Sequence, residues 1–241
     1  MMIKKLALIS AALLSLASSA FADWANYKRY NADDKRIIES GNPPVAVFMG
    51  DSITDGWAHQ SKEFFKDNNY AGRGISGQVT AQMLARFRAD VIDLRPKTVL
   101  ILAGTNDLAQ NQGPVELENI AGNIISMAEL ARINGIVPVI CSITPAAEYP
   151  WRKQIENVGE NIEKINKMLK DYCDKNRVIY LDYHSKLANA EKGLDKDLSG
   201  DGVHPTLKYY KIMEAMAKDA VEKAVKQHQK FGRGKRRADR K

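Results

Sequence analysis

Ser52 stands in "VAVFMGDSITDGW" (45–57), where an apolar run gives way to Gly50-Asp51-Ser52. A serine that emerges where a buried strand ends can act as a nucleophile. Its hydroxyl is weak, however, without a base in hydrogen-bond reach and a third group to orient that base. Four histidines are available. His59 follows Ser52 by seven residues, in the next helix or loop, and is expected to point away. His228 sits by the C-terminal tail. His184, at the end of an apolar run, is geometrically conceivable. His204 lies in "SGDGVHPT", three residues after Asp201. That spacing lets one short turn hold both residues, with the carboxylate accepting from imidazole Nδ1 and Nε2 left for the serine. Pro205 restricts His204 to extended backbone and opens the next helix, which sets its direction.

Acyl transfer also needs donors for the oxyanion, each worth roughly 3 kcal/mol. Ser52 at a helix start offers its own N–H, aided by the helix dipole. "GISGQ" (74–78) offers glycine N–H groups that no Cβ obstructs, and Asn106 in "GTND" (104–107) offers a side-chain amide. Each has a plain alternative: Asn-Asp after a strand is ordinary turn chemistry, and Gly77 can simply cap a helix.

The elements that must position these groups show as two alternating periods. Continuous apolar, β-branched runs at 44–50, 97–104, 136–143 and 177–183, and a weaker one at 69–75, predict strands buried on both faces. Helical periodicity marks 78–94, 115–133, 155–172 and 206–225, with Pro114 and Pro205 where a first turn tolerates proline. Such alternation predicts an α/β fold, a parallel sheet with helices on both faces, whose ligands bind at the carboxyl ends of the strands. The polar segments 50–54, 74–78, 104–107, 142–153 and 184–205 all follow strands, so they are expected to converge on one cleft.

Before this region, Lys4 and Lys5, the apolar run Leu6 to Leu16 and Ala20-Phe21-Ala22 read as a secretory signal peptide (1–22) cut after Ala22. The expected location is the periplasm or the exterior. The apolar run is too short to favour a membrane span. The formal charge of +7 is misleading: the tail 230–241 holds seven basic residues and one acidic, and residues 23–229 net only −1. No nucleic-acid partner is expected, and the tail is expected to be disordered. Residues 23–229 are expected to form a single domain. Cys141 and Cys173 favour two buried thiols over a disulfide, and nothing has metal-ligand spacing.

The four blocks "GDSIT", "GRGISGQVT", "GTND" and "DGVHP", in this order, resemble the SGNH hydrolases, the GDSL-like esterase and lipase superfamily. "GDSITDGW" and "GISGQ" most resemble its platelet-activating-factor-acetylhydrolase-like branch. The resemblance spans 45–206 and implies a flavodoxin-like three-layer α/β/α sandwich with a mostly parallel five-stranded sheet. It implies Ser52 as nucleophile, His204 as general base and Asp201 as its orienter. The implied oxyanion donors are the Ser52 N–H, the Gly77 N–H (in preference to Gly74) and the Asn106 side chain, with no metal or cofactor. Two departures stand out: Gln78 follows Gly77 where many members have Asp, and isoleucine replaces leucine after Gly-Asp-Ser. Position 54 is threonine, so the G-x-S-x-G elbow of α/β-hydrolases is not the pattern here.

The expected function is an exported serine esterase acting on short-chain, acetyl esters, foremost of carbohydrate, because the loops are short and poor in large apolar residues. Trp57, Tyr149 and Trp151 are expected either near the cleft mouth, where they could stack a sugar ring, or in the core. The expected partner is a small-molecule or glycan ester. Lysophospholipid or thioester hydrolysis is the runner-up, and a non-catalytic carbohydrate-binding protein on the same fold is the reading from another class.

Overall fold

A computed structural model describes residues 23–238, with side chains through Lys230. The expected signal peptide (1–22) and residues 239–241 lie outside the described residues. The five apolar runs form β1 (Ala46–Gly50), β2 (Tyr70–Gly74), β3 (Thr98–Leu102), β4 (Val137–Cys141) and β5 (Ile179–Leu181). They pair in parallel throughout, in the order β2-β1-β3-β4-β5. The chain winds outward in opposite directions from β1 and β3, so the loops after these two central strands flank a crevice. Ser52 follows β1 and Asn106 follows β3.

Nine α-helices lie among the described residues: α1 (Asn31–Ser40), α2 (Ser52–Gln60), α3 (Lys62–Asp67), α4 (Thr80–Phe87), α5 (Thr105–Leu108), α6 (Leu117–Ile133), α7 (Val158–Asn176), α8 (His184–Leu187) and α9 (Leu207–Ala238). Side chains alternate along each strand, so Val47 and Met49 face one layer while Ala46 and Phe48 face the other. The first layer is built by Met83 and Phe87 of α4, Ile124 and Met127 of α6, and Ile162 and Leu169 of α7. The second uses Trp57 of α2, Phe65 of α3 and Tyr210, Met213 and Val221 of α9. The result is the expected α/β/α sandwich.

Three readings change. Trp57 is core rather than cleft: it lies one turn from Ile53 on the inward stripe of α2, is 1% exposed, and stacks on Phe64 and Tyr210. Tyr149 is likewise fully buried, within the α6–α7 layer. The backbone of 230–238 continues α9 as helix where a disordered tail was expected. Lys, Arg and Ala favour helix, and extending an established helix costs little compared with starting one. Cys141 and Cys173 are free and buried, and belong to the core layers on opposite faces of the sheet.

Candidate active site

The site begins with how tightly α2 starts against the sheet. At Gly74, the last residue of β2, a Cβ would lie 2.1 Å from Asp55 N and 2.7 Å from Asp51 O, so only glycine lets this turn seat there. Asp51 caps α2 by accepting from Ile53 N–H at 2.9 Å. Ser52 is thereby the first helical residue, and its N–H has no partner within the helix. Burial pushes the Asp51 carboxyl up to about 6, although the Ile53 N–H and nearby His204 oppose the rise.

Ser52 Oγ lies 2.9 Å from His204 Nε2, and His204 Nδ1 lies 2.7 Å from Asp201 Oδ2. The other carboxylate oxygen of Asp201 accepts from Val203 N–H at 3.0 Å and His204 N–H at 2.7 Å, with Ser199 Oγ at 3.1 Å. A Ser199–Pro205 bridge closes this loop on itself. Partial burial favours the neutral acid at Asp201, but the hydrogen bonds from His204 and Val203 outweigh it and hold the group down at about 2. Asp201 is therefore ionised at neutral pH and fixes the imidazole with Nδ1–H toward itself and Nε2 toward Ser52.

Gly77 and Asn106 join Ser52 and His204 in lining one open cleft of about 490 Å³. Gly77 has φ +79°, a left-handed conformation that a side chain would strain. Asn106 is 4% exposed, and its Nδ2 donates to Gln78 O at 3.0 Å, which leaves its second hydrogen free. Its Oδ1 accepts from Asn111 Nδ2 at 2.7 Å, and Asn111 Oδ1 in turn accepts from Trp151 Nε1 at 3.1 Å. The Trp151 ring, 41% exposed, lies 5.8 Å from the His204 ring. Of the three aromatic residues expected at the mouth, Trp151 is the one that is there.

The opposite rim is polar. Asp55 Oδ2 accepts from Ser76 Oγ at 2.9 Å, Arg29 lies 3.4 Å from Oδ1, and His59 Nδ1 lies 2.8 Å from Asp55 O. His59 thus lines the cleft instead of pointing away, because α2 runs along the rim and places it one turn beyond Asp55. His184 is not among the cleft-lining residues. Its N–H donates to Ser142 Oγ at 2.8 Å, and its Nε2 is buried with no protein partner, so the alternative base does not reach Ser52.

Beneath the cleft lies a network with no signature in the sequence. Arg86, fully buried, donates from Nε to Gln78 Oε1 at 2.6 Å and from Nη2 to Gly50 O and Arg73 O at 3.1 and 2.9 Å. Its charge is met by Asp90 at 2.5 Å. One side chain therefore ties the ends of β1 and β2 to the 75–79 loop. Gln78 also donates from Nε2 to Ala25 O at 2.8 Å, a bond that a carboxylate could not make. Asp107 accepts from Thr80 N–H at 2.9 Å and from Thr80 Oγ1 at 2.6 Å, fastening the third sequence block to the second. Burial raises Asp107 to about 6 against those Thr80 bonds.

Residues 48–212 match the GDSL-like Lipase/Acylhydrolase family. The chain belongs to that family. Like other GDSL-like acylhydrolases it is an ester-hydrolysing enzyme. A GDSL-like lipase of Bacteroides thetaiotaomicron VPI-5482 superposes with TM-score 0.78 at 44% identity, covering 83% of this chain and 98% of that one. Esterase TesA of Pseudomonas aeruginosa is 24% identical over 167 residues, 68% of this chain and 76% of TesA. A shorter stretch of 78 residues is 35% identical to the uncharacterized lipoprotein YqeF of Bacillus subtilis, covering 31% of this chain and 32% of YqeF. No helix among the described residues is long and apolar enough to cross a membrane.

Proposed function

We propose that this acylhydrolase is an exported serine esterase that removes short acyl groups, acetyl foremost, from carbohydrate hydroxyls, with Ser52, His204 and Asp201 as its triad. The observation that carries the reading is the continuous hydrogen-bonded chain Ser52–His204–Asp201 at 2.9 and 2.7 Å. His204 Nε2 takes the Ser52 proton as Oγ attacks the ester carbonyl. The Ser52 N–H, the Gly77 N–H and the free Asn106 Nδ2 hydrogen receive the tetrahedral oxyanion. As the intermediate collapses, His204 returns the proton to the leaving alcohol, and water then repeats the sequence on the acyl-enzyme. Asp201 stays ionised throughout and stabilises the imidazolium.

The cleft wall supports a short acyl group on a polar alcohol. Its lining contains no aliphatic side chain; Asp55, His59, Gln60, Ser76 and Asn111 offer hydrogen bonds, and Trp151 offers one exposed aromatic face. A long acyl chain would find no apolar wall to cover it. The Lys4–Ala22 pattern and the likeness to a lipoprotein support export. In the decisive experiment Ser52→Ala loses at least about 10³-fold in kcat on p-nitrophenyl acetate; unchanged turnover would overturn the triad. An ester series from acetate to palmitate, followed by acetylated glycans, tests the substrate. A maximum at the long-chain end would overturn the short-acyl reading.

A further inference from the structure

The edge of the sheet opposite the cleft has a different chemistry. Where the chain enters β3, β4 and β5, two adjoining depressions share Asn134, Gly135, Ile136 and His228. Four exposed arginines border them, Arg88 and Arg95 on one side and Arg132 and Arg177 on the other. Asp93 is the sole acidic residue in either lining, and it pairs with Arg88 at 3.7 Å. Among the described residues Arg95, Arg132 and Arg177 make no ion pair, and Arg132 lies beside the Tyr172 hydroxyl, which donates to Glu129 Oε1 at 3.3 Å. Ile133, 83% exposed at the end of α6, lines the first depression with Arg132 and Arg177, and Ile38 borders the second at 54% exposed.

Helix α9 passes this face at His228, and the chain then continues into residues 230–241 with their seven basic residues and one acidic. Residues 23–229 net only −1, so the positive excess of the chain after residue 22 lies in 230–241.

We propose that this face docks on an anionic phospholipid surface. Guanidinium groups bind phosphate through paired N–H donors, and a basic cluster is drawn to the negative surface of a bilayer. The exposed isoleucines distinguish a bilayer from the other polyanions: an apolar side chain that shares a depression with two arginines gains from the acyl boundary and gains nothing from a sugar or nucleotide backbone. The same like charges oppose pairing of two copies through this face. Docked here, the protein lies flat-edge down, with the Ser52 cleft at the far end of the strands and open to polymers away from the membrane. The proposal does not depend on which ester the cleft accepts.

The test is co-sedimentation of the exported chain (residues 23–241) with vesicles of phosphatidylcholine, with and without about 30% phosphatidylglycerol, at about 0.05 M salt. Binding is expected only with phosphatidylglycerol, and is expected to weaken at least tenfold near ~0.5 M salt. Arg132→Glu/Arg177→Glu together should weaken it by about tenfold or more. Ile133→Ser should weaken it several-fold with the salt dependence unchanged. Unaltered p-nitrophenyl acetate turnover in these variants verifies folding. Four results would overturn the proposal: no binding, or equal binding to phosphatidylcholine alone; full binding by the double-glutamate variant with loss only on removing 230–241; heparin binding that displaces the protein from lipid without any effect of Ile133→Ser; or self-association through this face in place of lipid binding.

Discussion

Asn111→Asp offers the sharpest test of how the oxyanion donor at Asn106 is held. The Asn106 amide is pinned at both ends, by Nδ2 on Gln78 O at 3.0 Å and by Oδ1 accepting from Asn111 Nδ2 at 2.7 Å. Asn111→Ala removes one of these pins, a net hydrogen bond of about 1 kcal/mol, so kcat should fall about fivefold. Asn111→Asp does more. It sets a carboxylate against Asn106 Oδ1. By turning over, the amide exchanges its neutral bond to Gln78 O for a charge-assisted bond to that carboxylate, and presents oxygen instead of N–H to the cleft. A complete reversal forfeits one donor, about 3 kcal/mol, or up to ~10²-fold in kcat. KM should change little, because the donor acts on charge that develops in the transition state. The assay is steady-state hydrolysis of p-nitrophenyl acetate, with Trp151→Phe as a control that keeps a ring and loses the N–H to Asn111. A double-mutant cycle with Asn106→Ala isolates the coupling: without the Asn106 amide, Asn111→Asp should cost almost nothing further. The reasoning is refuted if Asn111→Asp keeps kcat within about twofold of the parent, or costs as much without Asn106 as with it.

Other perturbations address the frame around the triad. Gly74→Ala drives a Cβ to 2.1 Å from Asp55 N and 2.6 Å from Thr54 C, so the first turn of α2 must move; urea denaturation should show a loss of about 1–3 kcal/mol, and turnover should fall by up to ~10²-fold as Ser52 shifts. Arg86→Met leaves Asp90, 1% exposed, as an unpaired buried charge, and should cost about 3–5 kcal/mol; adding Asp90→Leu should restore much of it, and a failure to do so would show that the bonds to Gly50 O and Arg73 O matter more than the charge. Stability should depend on pH from both sides. Burial raises Asp51 and Asp107 to about 6, so what these groups contribute is complete below the unfolded value of ~3.9 and is lost as pH rises through about 6. The hydrogen bonds that hold Asp201 at about 2 despite burial act the other way: its contribution is present above ~3.9 and is lost as pH falls through about 2. Melting temperature should therefore peak near ~pH 4 and fall through about pH 6, Asp107→Asn should flatten that decline, and a steady rise toward ~pH 8 would contradict the assignment.

The sequence by itself determined whatever is written within a few residues. Continuous apolar runs placed all five strands, helical spacing placed the major helices, and the Asp201–His204 interval described a turn that the structure contains. These are readable because strand and helix periods and short side chain-to-backbone bonds are local. Distance along the chain is what hides the rest. Ser52 and His204 are 152 residues apart, and only the path of the loop after β5 decides that His204 reaches the serine while His184 does not. Trp57 and Trp151 look alike as residues, yet one stacks in the core and the other faces the cleft, since burial depends on which side of a helix meets the sheet. Asn111 reads as an ordinary polar turn, and Arg86 as a solvated charge on an amphipathic helix. Their roles come from partners brought to them by packing: Asn106 and Trp151 for the first, and Gly50, Arg73 and Gln78 for the second. A buried polar group must find its partners wherever the fold puts them, so these contacts belong to the tertiary structure.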